Sequence, residues 1–183
     1  MQTKQVRKER DYRTMKIIEG GVTAAQGFEA AGIEAAIKYQ NRKDMAMVYS
    51  RTPCRAAGVF TSNVVKAAPV LWDKEIVENA PSVQAVIVNS GIANACTGRQ
   101  GYDCCRQTAE KTAQLMGISP DAVLVASTGV IGNQIPVEKL LAGVEKLAAA
   151  KKDTAEAGTM AAEAIMTTDT LSKQAAVQIE LGG

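Results

Sequence analysis

Ala122-Val123-Leu124-Val125-Ala126-Ser127-Thr128-Gly129-Val130-Ile131-Gly132 is the stretch that decides how this chain reads. Its first four residues are a short continuous apolar run ahead of a turn and a further helical pattern, which predicts a buried strand. That strand ends by presenting a hydroxyl and a glycine amide from the adjacent residues Thr128 and Gly129. A side-chain donor beside a backbone donor suits a developing oxyanion, and losing one such donor typically costs roughly 2.7–4 kcal/mol of barrier. The structural alternative is a plain chain reversal, for which glycine is the default residue.

A second strand-like run, Val83 to Val88, leads into Asn89-Ser90-Gly91-Ile92-Ala93-Asn94-Ala95-Cys96-Thr97-Gly98. Tyr102 to Met116 then reads as a helix, with Asp103 near its start and Gly117 as its C′ residue. Pro136, placed at the first helical position, opens an amphipathic helix whose stripe is Val137, Leu140, Leu141, Val144, Leu147 and Ala148. Lys151-Lys152-Asp153 interrupts it, and a further helix with Ala157, Met160, Ala161, Ala164 and Ile165 on one stripe delivers the chain to Thr167. Earlier, Met45 to Tyr49 and Ala57 to Phe60 read as strands joined by a loop with Pro53, and Asp73 to Asn79 as a short helix. Ala175 to Leu181 alternates weakly and reads as a last strand. The alternation predicts an α/β fold; periodicity alone does not separate a doubly wound sheet from a mixed one. A strand–loop–helix order at Ser90-Gly91 or Thr128-Gly129 permits a ligand at the carboxyl ends of buried strands.

With 183 residues the chain fits one domain or one part of a larger protein. Aromatics make up only 4% of it, so the core rests on Ala, Val, Ile, Leu and Met. The net charge of +2 conceals an asymmetry. Residues 1–16 hold six Lys/Arg against Glu9 and Asp11, and the remainder is slightly acidic, so no basic face points to nucleic acid. Residues 1–14 read as a flexible basic leader ahead of an α/β domain over 15–183; they lack the apolar core of a secretory signal. No segment approaches the roughly 20 apolar residues of a membrane span, and the expected location is the cytoplasm.

The chain has no histidine, which excludes a Ser-His-Asp or Cys-His apparatus within it. Cys54, Cys96, Cys104 and Cys105 show no CxxC spacing and read as reduced thiols, and without a histidine no zinc site is expected. Cys96, in the Asn-Ala-Cys-Thr loop, is a candidate nucleophile without a base. Neither GxGxxG nor GxxxxGK[ST] occurs, so no dinucleotide cradle or P-loop is indicated.

Taken in order, Gly20-Gly21-Val22-Thr23, Ala56-Ala57-Gly58-Val59-Phe60-Thr61, Val65-Lys66-Ala67-Ala68-Pro69-Val70, the Asn89–Gly98 block, Ser127–Gly132 and Met166-Thr167-Thr168-Asp169-Thr170 carry a resemblance. Together they resemble the ornithine acetyltransferase (glutamate N-acetyltransferase) family of arginine biosynthesis, from about Ile17 to Lys173. The resemblance implies a layered αββα sandwich and a precursor that cleaves itself before a threonine, giving an α and a β chain. It implies that the new N-terminal Thr of the β chain is the nucleophile, its own α-amino group serving as base. That threonine takes the acetyl group of N-acetylornithine and passes it to glutamate, with acetyl-CoA as a second donor in some members and no metal or organic cofactor. On this reading the present chain is most of an α chain, inactive alone, in an α2β2 heterotetramer.

Residue by residue, the resemblance places the oxyanion pair at Thr128 and Gly129 and a substrate contact at Thr167. Thr168 and Thr170 are alternatives for that contact, and a helix-end hydroxyl bonded to its own backbone is the structural one. Asp169 reads as a turn or ion-pair residue rather than a base. Asn89, Ser90, Asn94 and Thr97 are either pocket residues or ordinary turn formers, and Lys66 reads as a solvated lysine. Two other functions fit the same residues: a self-processing aminopeptidase or amidase on this architecture, and a non-catalytic α/β module whose Gly-rich loops bind an amino acid.

Overall fold

The computed structural model describes residues 15–180. The leader expected over residues 1–14 lies outside the described residues. Four strands form a mixed sheet in the order β2 (Phe28–Ile33), β3 (Met45–Cys54), β4 (Val83–Ile92) and β5 (Val123–Val130). The first two pairings are antiparallel and β4–β5 is parallel, which answers the question that periodicity left open. A parallel neighbour requires a crossover, and α2 (Gly98–Met116) supplies it. Gly117 ends that helix at φ +67°, its amide bonded to the Ala113 carbonyl, as expected of a C-terminal glycine.

One face of the sheet carries the main core. Met45, Met47, Ala85, Ile87, Val123 and Val125 face α1 (Ala68–Asn79), α2 and α3 (Val137–Ala150), which contribute Trp72, Ile76, Ala109, Leu140, Val144 and Leu147. Burying one such aliphatic side chain is worth roughly 1.5–3 kcal/mol. The opposite face is lined by small residues. Ala30, Ala46, Ala161 and Ala164 pack where α4 (Ala155–Ala164) crosses β2. The approach is so close that a Cβ on Gly32 would lie 2.0 Å from the Met160 carbonyl oxygen. The layered α/β sandwich expected is therefore present. A separate antiparallel ribbon joins β1 (Met15–Ile18) to β6 (Ala176–Ile179).

Both outer edges of the sheet are covered in part. The β2 edge exchanges two hydrogen bonds between Ala30 and Lys152, the lysine that interrupts the α3 pattern. At the β5 edge, Trp72 Nε1 donates to the Val123 carbonyl at 3.0 Å and the Val125 amide donates to Asp73 Oδ1 at 2.8 Å. Partial covering of this kind blunts an edge against further pairing.

Several expected elements move. Ala57 to Phe60 is no strand: Val59 is fully exposed, and β3 instead runs straight through Pro53 to Cys54. The register of β3 on β4 shifts between Tyr49 and Cys54, and a proline is tolerated at such an irregularity. The helix expected from Asp73 begins at Ala68, because Pro69 suits a first turn. Pro136 is the residue before α3, with extended ψ of 95°, rather than its first helical residue. Strand β2 had no counterpart in the sequence reading.

Candidate functional site

In the parallel β4–β5 register, Asn89 lies beside Ser127, Ser90 beside Thr128 and Gly91 beside Gly129. The two sequence blocks that end β4 and β5 are thus one structural unit at the carboxyl ends of these strands. Along β5, Val123 and Val125 face the main core, so Thr128, in phase with Leu124 and Ala126, leaves on the other face. The chain that follows α4 arrives on that same side.

A cavity of about 260 Å3 opens there, lined by Thr128, Gly129, Gly91 and Val130 of the strand ends, Met166, Thr167 and Thr168, and Lys38, Tyr39 and Arg42. Thr128, Gly129 and Thr167 therefore meet at one place, although Thr167 follows Gly129 by 38 positions in sequence. Thr168 joins them, whereas Thr170 does not line the cavity. Neither the Thr128 nor the Thr167 hydroxyl has a hydrogen-bond partner among the described residues. Larger cavities of about 360 and 380 Å3 lie elsewhere and contain none of these threonines. The first is lined by glycine and apolar residues alone and the second by Lys66, Cys96, Thr97 and Tyr102 among apolar residues, so size alone does not mark the site.

The backbone here is one only glycine adopts without strain. Gly129 has φ +138° and Gly91 φ +102°. A Cβ on Gly129 would lie 2.2 Å from the carbonyl carbon of Gly91. The absence of a side chain at Gly129 lets the two strand ends close up, and its absence at both glycines bares the peptide groups at the cavity wall.

Lys38, Tyr39 and Arg42 come from the loop between β2 and β3, and a buried carboxylate shapes it. Asp44 is 1% exposed and accepts the Ala35 amide at 2.7 Å and the Ile37 amide at 2.6 Å. The Asp44 carbonyl in turn accepts the Ser90 amide at 2.8 Å, tying the loop to the end of β4. Arg42 donates from Nη2 to the Met166 carbonyl at 2.7 Å, joining the loop to the segment of Thr167. Lys38 Nζ sits 4.8 Å from the Tyr39 ring centroid and Arg42 Cζ 5.5 Å from it. Hydrogen bonding and charge from Lys38, with charge from Arg42, hold the Tyr39 hydroxyl below its ordinary pKa. Sequence reasoning missed all three residues. A polar loop has no periodicity, and the left-handed Ala36 and buried Asp44 that shape it are features of the fold with no signal in the sequence.

The other polar residues of the Asn89–Gly98 block are internal supports. Ser127 Oγ donates to Asn89 Oδ1 at 2.7 Å, and Asn89 Nδ2 donates to the Ile92 carbonyl at 2.9 Å. Ser90 Oγ donates to the Ala164 carbonyl at 2.8 Å, fixing the end of α4 and hence the approach to Thr167. Thr97 Oγ1 donates to Asn94 Oδ1 at 2.8 Å, and Asn94 Nδ2 donates to the Gly101 carbonyl at 3.0 Å. All four residues are buried, and none lines the cavity of Thr128. Cys96 is exposed at φ +56°, beside Lys66 in the separate 380 Å3 cavity. Asp169 pairs with Lys173, which lowers its pKa, in keeping with the ion-pair reading. Among the described residues no cluster of three or more metal-binding side chains occurs, and no helix is long and apolar enough to cross a membrane.

Comparison with known proteins places these features in context. Residues 29–183 match the ArgJ family. An arginine biosynthesis bifunctional protein ArgJ from Symbiobacterium thermophilum is 50% identical over 171 residues, 92% of this chain and 42% of that protein. A chloroplastic ArgJ from Zea mays is 44% identical over 169 residues, 92% of this chain and 36% of that protein. The chain thus spans about two fifths of the length of the curated relatives it matches. Among solved structures, ArgJ from Bacillus halodurans superposes with a TM-score of 0.81 at 35% identity, over 92% of this chain and 94% of that one. The ornithine acetyltransferase of Mycobacterium tuberculosis, solved in complex with ornithine, gives 0.83 at 39% identity over 93% and 96%.

Proposed function

The chain belongs to the ArgJ family, and on that premise we propose that it forms the oxyanion-bearing part of a self-processing ornithine acetyltransferase. The enzyme moves the acetyl group of N-acetylornithine to glutamate through an acetyl-threonine intermediate. The convergence of Thr128, Gly129 and Thr167 on one cavity carries the reading. Three positions named by motif alone need not meet in space, and they do. The likeness to an enzyme solved with ornithine bound agrees with an amino-acid substrate.

In the proposed reaction a threonine at the start of a second chain attacks the acetyl carbonyl. Its hydroxyl proton passes to its own α-amino group and then to the departing ornithine amine as the C–N bond breaks. The carbonyl oxygen becomes an oxyanion, which the Thr128 hydroxyl and the Gly129 amide stabilise by hydrogen bonds set in advance. The same donors act again when the glutamate amine attacks the acetyl-threonine, and also when the precursor cleaves itself. Thr167, with Thr168 beside it, contacts the amino-acid portion. A second activity with acetyl-CoA as donor, assembly of two α and two β chains, and a cytoplasmic location belong to the same proposal.

The test is a denaturing intact mass of the complete reading frame after brief incubation with N-acetylornithine. Two chains, with one acetyl group on a second chain that begins with threonine, are expected. A single unmodified chain would overturn the proposal and favour an amino-acid-binding module. Two chains that release free acetate and never acetylate glutamate would indicate the amidase instead.

A further inference from the structure

Two cations and no acid line the cavity that holds Thr128 and Thr167. Lys38 and Arg42 share one aromatic ring, at 4.8 and 5.5 Å from the Tyr39 centroid. Neither is in ion-pair contact with a carboxylate among the described residues. The neighbouring lysines are: Lys43 pairs with Glu163 at 2.8 Å, and Lys173 pairs with Asp169. Two like charges gathered at one ring repel each other, and an anion seated between them relieves that repulsion.

The arrangement is held from inside the fold. Asp44 grips the amides of Ala35 and Ile37 from a fully buried position. Gly91 leaves room for the stem of Lys38, because a Cβ there would come within 2.9 Å of Lys38 Cβ. Arg42 is oriented by the Met166 carbonyl. Gly129, lacking a Cβ, lets β5 close on β4 at Gly91, and Gly91, lacking one in turn, lets Lys38 reach the cavity wall.

Resting on the proposed function, we infer that Lys38 and Arg42 form an anion-recognising wall that takes the carboxylate of the amino-acid substrate, leaving its amine to face Thr128 and Gly129. The phosphates of a coenzyme-borne acyl donor share this anionic chemistry, and the experiment separates the two sources. Lys38 and Arg42 act here on binding and orientation; no proton transfer is assigned to them.

Calorimetric binding of ornithine and of ornithinamide to the full protein reads the site whether or not turnover occurs. The wild type is expected to prefer the acid over the neutral amide. Lys38→Gln is expected to weaken ornithine binding roughly ten- to a hundredfold, the range for a hydrogen bond to a charged group, while the amide is hardly affected. Lys38→Arg should restore most of the preference. Equal losses for acid and amide, or no loss for either, overturn the inference. Coenzyme A is titrated in parallel: weakening confined to coenzyme A assigns the wall to phosphate and overturns the carboxylate. A preference that depends on Lys38 in a protein that transfers no acetyl group would strike the proposed function and leave the anion wall standing. Acetyl transfer with a preference indifferent to Lys38 would do the reverse.

Discussion

Gly129 lies directly beside Gly91 across the parallel β4–β5 register, close enough that a Cβ on Gly129 would meet the Gly91 carbonyl carbon at 2.2 Å. Backbone cannot yield as a side chain can, and φ of +138° adds strain for any residue with a Cβ. Gly129→Ala should therefore destabilise the protein by about 2–6 kcal/mol, combining conformational strain with overpacking. Gly91→Ala meets only the Lys38 side chain, at 2.9 Å, and should cost less in stability while displacing Lys38. Urea denaturation of the two variants orders them, and the reverse order would refute this account of the strand ends.

Thr128 is half-buried, and its hydroxyl has no partner among the described residues, so removing it sacrifices no internal hydrogen bond. Thr128→Ala should lower acetyl transfer by roughly 10²–10³ with little change in melting temperature. Thr128→Ser, which keeps the hydroxyl, should recover most of the rate. A Thr128→Ala enzyme that turns over normally but binds ornithine weakly would point to a binding contact in place of an oxyanion donor.

Asp44 serves two backbone donors at once, the buried Ile37 amide and the part-buried Ala35 amide. Asp44→Ala leaves the amides of Ala35 and Ile37 without an acceptor, at about 1–3 kcal/mol each. Asp44→Asn keeps one acceptor and should fall between the wild type and the alanine variant. Because the loop carries Lys38 and Arg42, the alanine variant should also raise KM for the amino-acid substrate more than it lowers kcat. Stability loss without that change in KM would restrict Asp44 to folding.

How far the sequence could be read follows from where its signals were periodic. Strands β4 and β5 and helices α2, α3 and α4 were legible because each carries an apolar run or stripe that the main core or the α4 layer selects. Strand β2 was not, since Glu29-Ala30-Ala31-Gly32 has almost no apolar bulk; close contact with α4 selects it, and closeness leaves no hydropathy signal. Ala57 to Phe60 misled for the opposite reason, having strand-like residues of which Val59 is left fully exposed with no strand beside it. At the site, Thr128, Gly129 and Thr167 were legible through motif resemblance. Lys38 and Arg42 were hidden, because a cation on a polar loop acquires meaning only when the fold aims it.

Cys96, Cys104 and Cys105 differ in environment, which predicts their order of reaction. Burial pushes Cys104 up to about 11 and Cys105 up to about 12, and both are enclosed between α2 and the sheet. Cys96 is exposed. Since the thiolate is the reactive form, iodoacetamide at mildly alkaline pH should label Cys96 in the native protein and leave Cys104 and Cys105 intact until unfolding. Peptide mapping after brief labelling checks this, and early modification of Cys105 would contradict the packing of α2.

Asp73 gives the fold a pH dependence of its own. Its half-buried carboxylate accepts the Val125 amide, yet burial outweighs that bond and raises its pKa from the usual 3.8 to about 6. Between those values the native state holds a proton that the unfolded chain has released. The group's contribution is therefore fully present at low pH and is lost as pH rises through about 6. The effect is no more than about 3 kcal/mol, and less because the carboxyl keeps some solvent contact. Asp73→Asn retains a carbonyl acceptor for Val125 without the charge. Compared by urea denaturation, the asparagine variant should gain on the wild type from about pH 4 to about pH 7. A wild-type advantage that grows over that interval would mean that the charge itself stabilises the β5 edge, contrary to its burial.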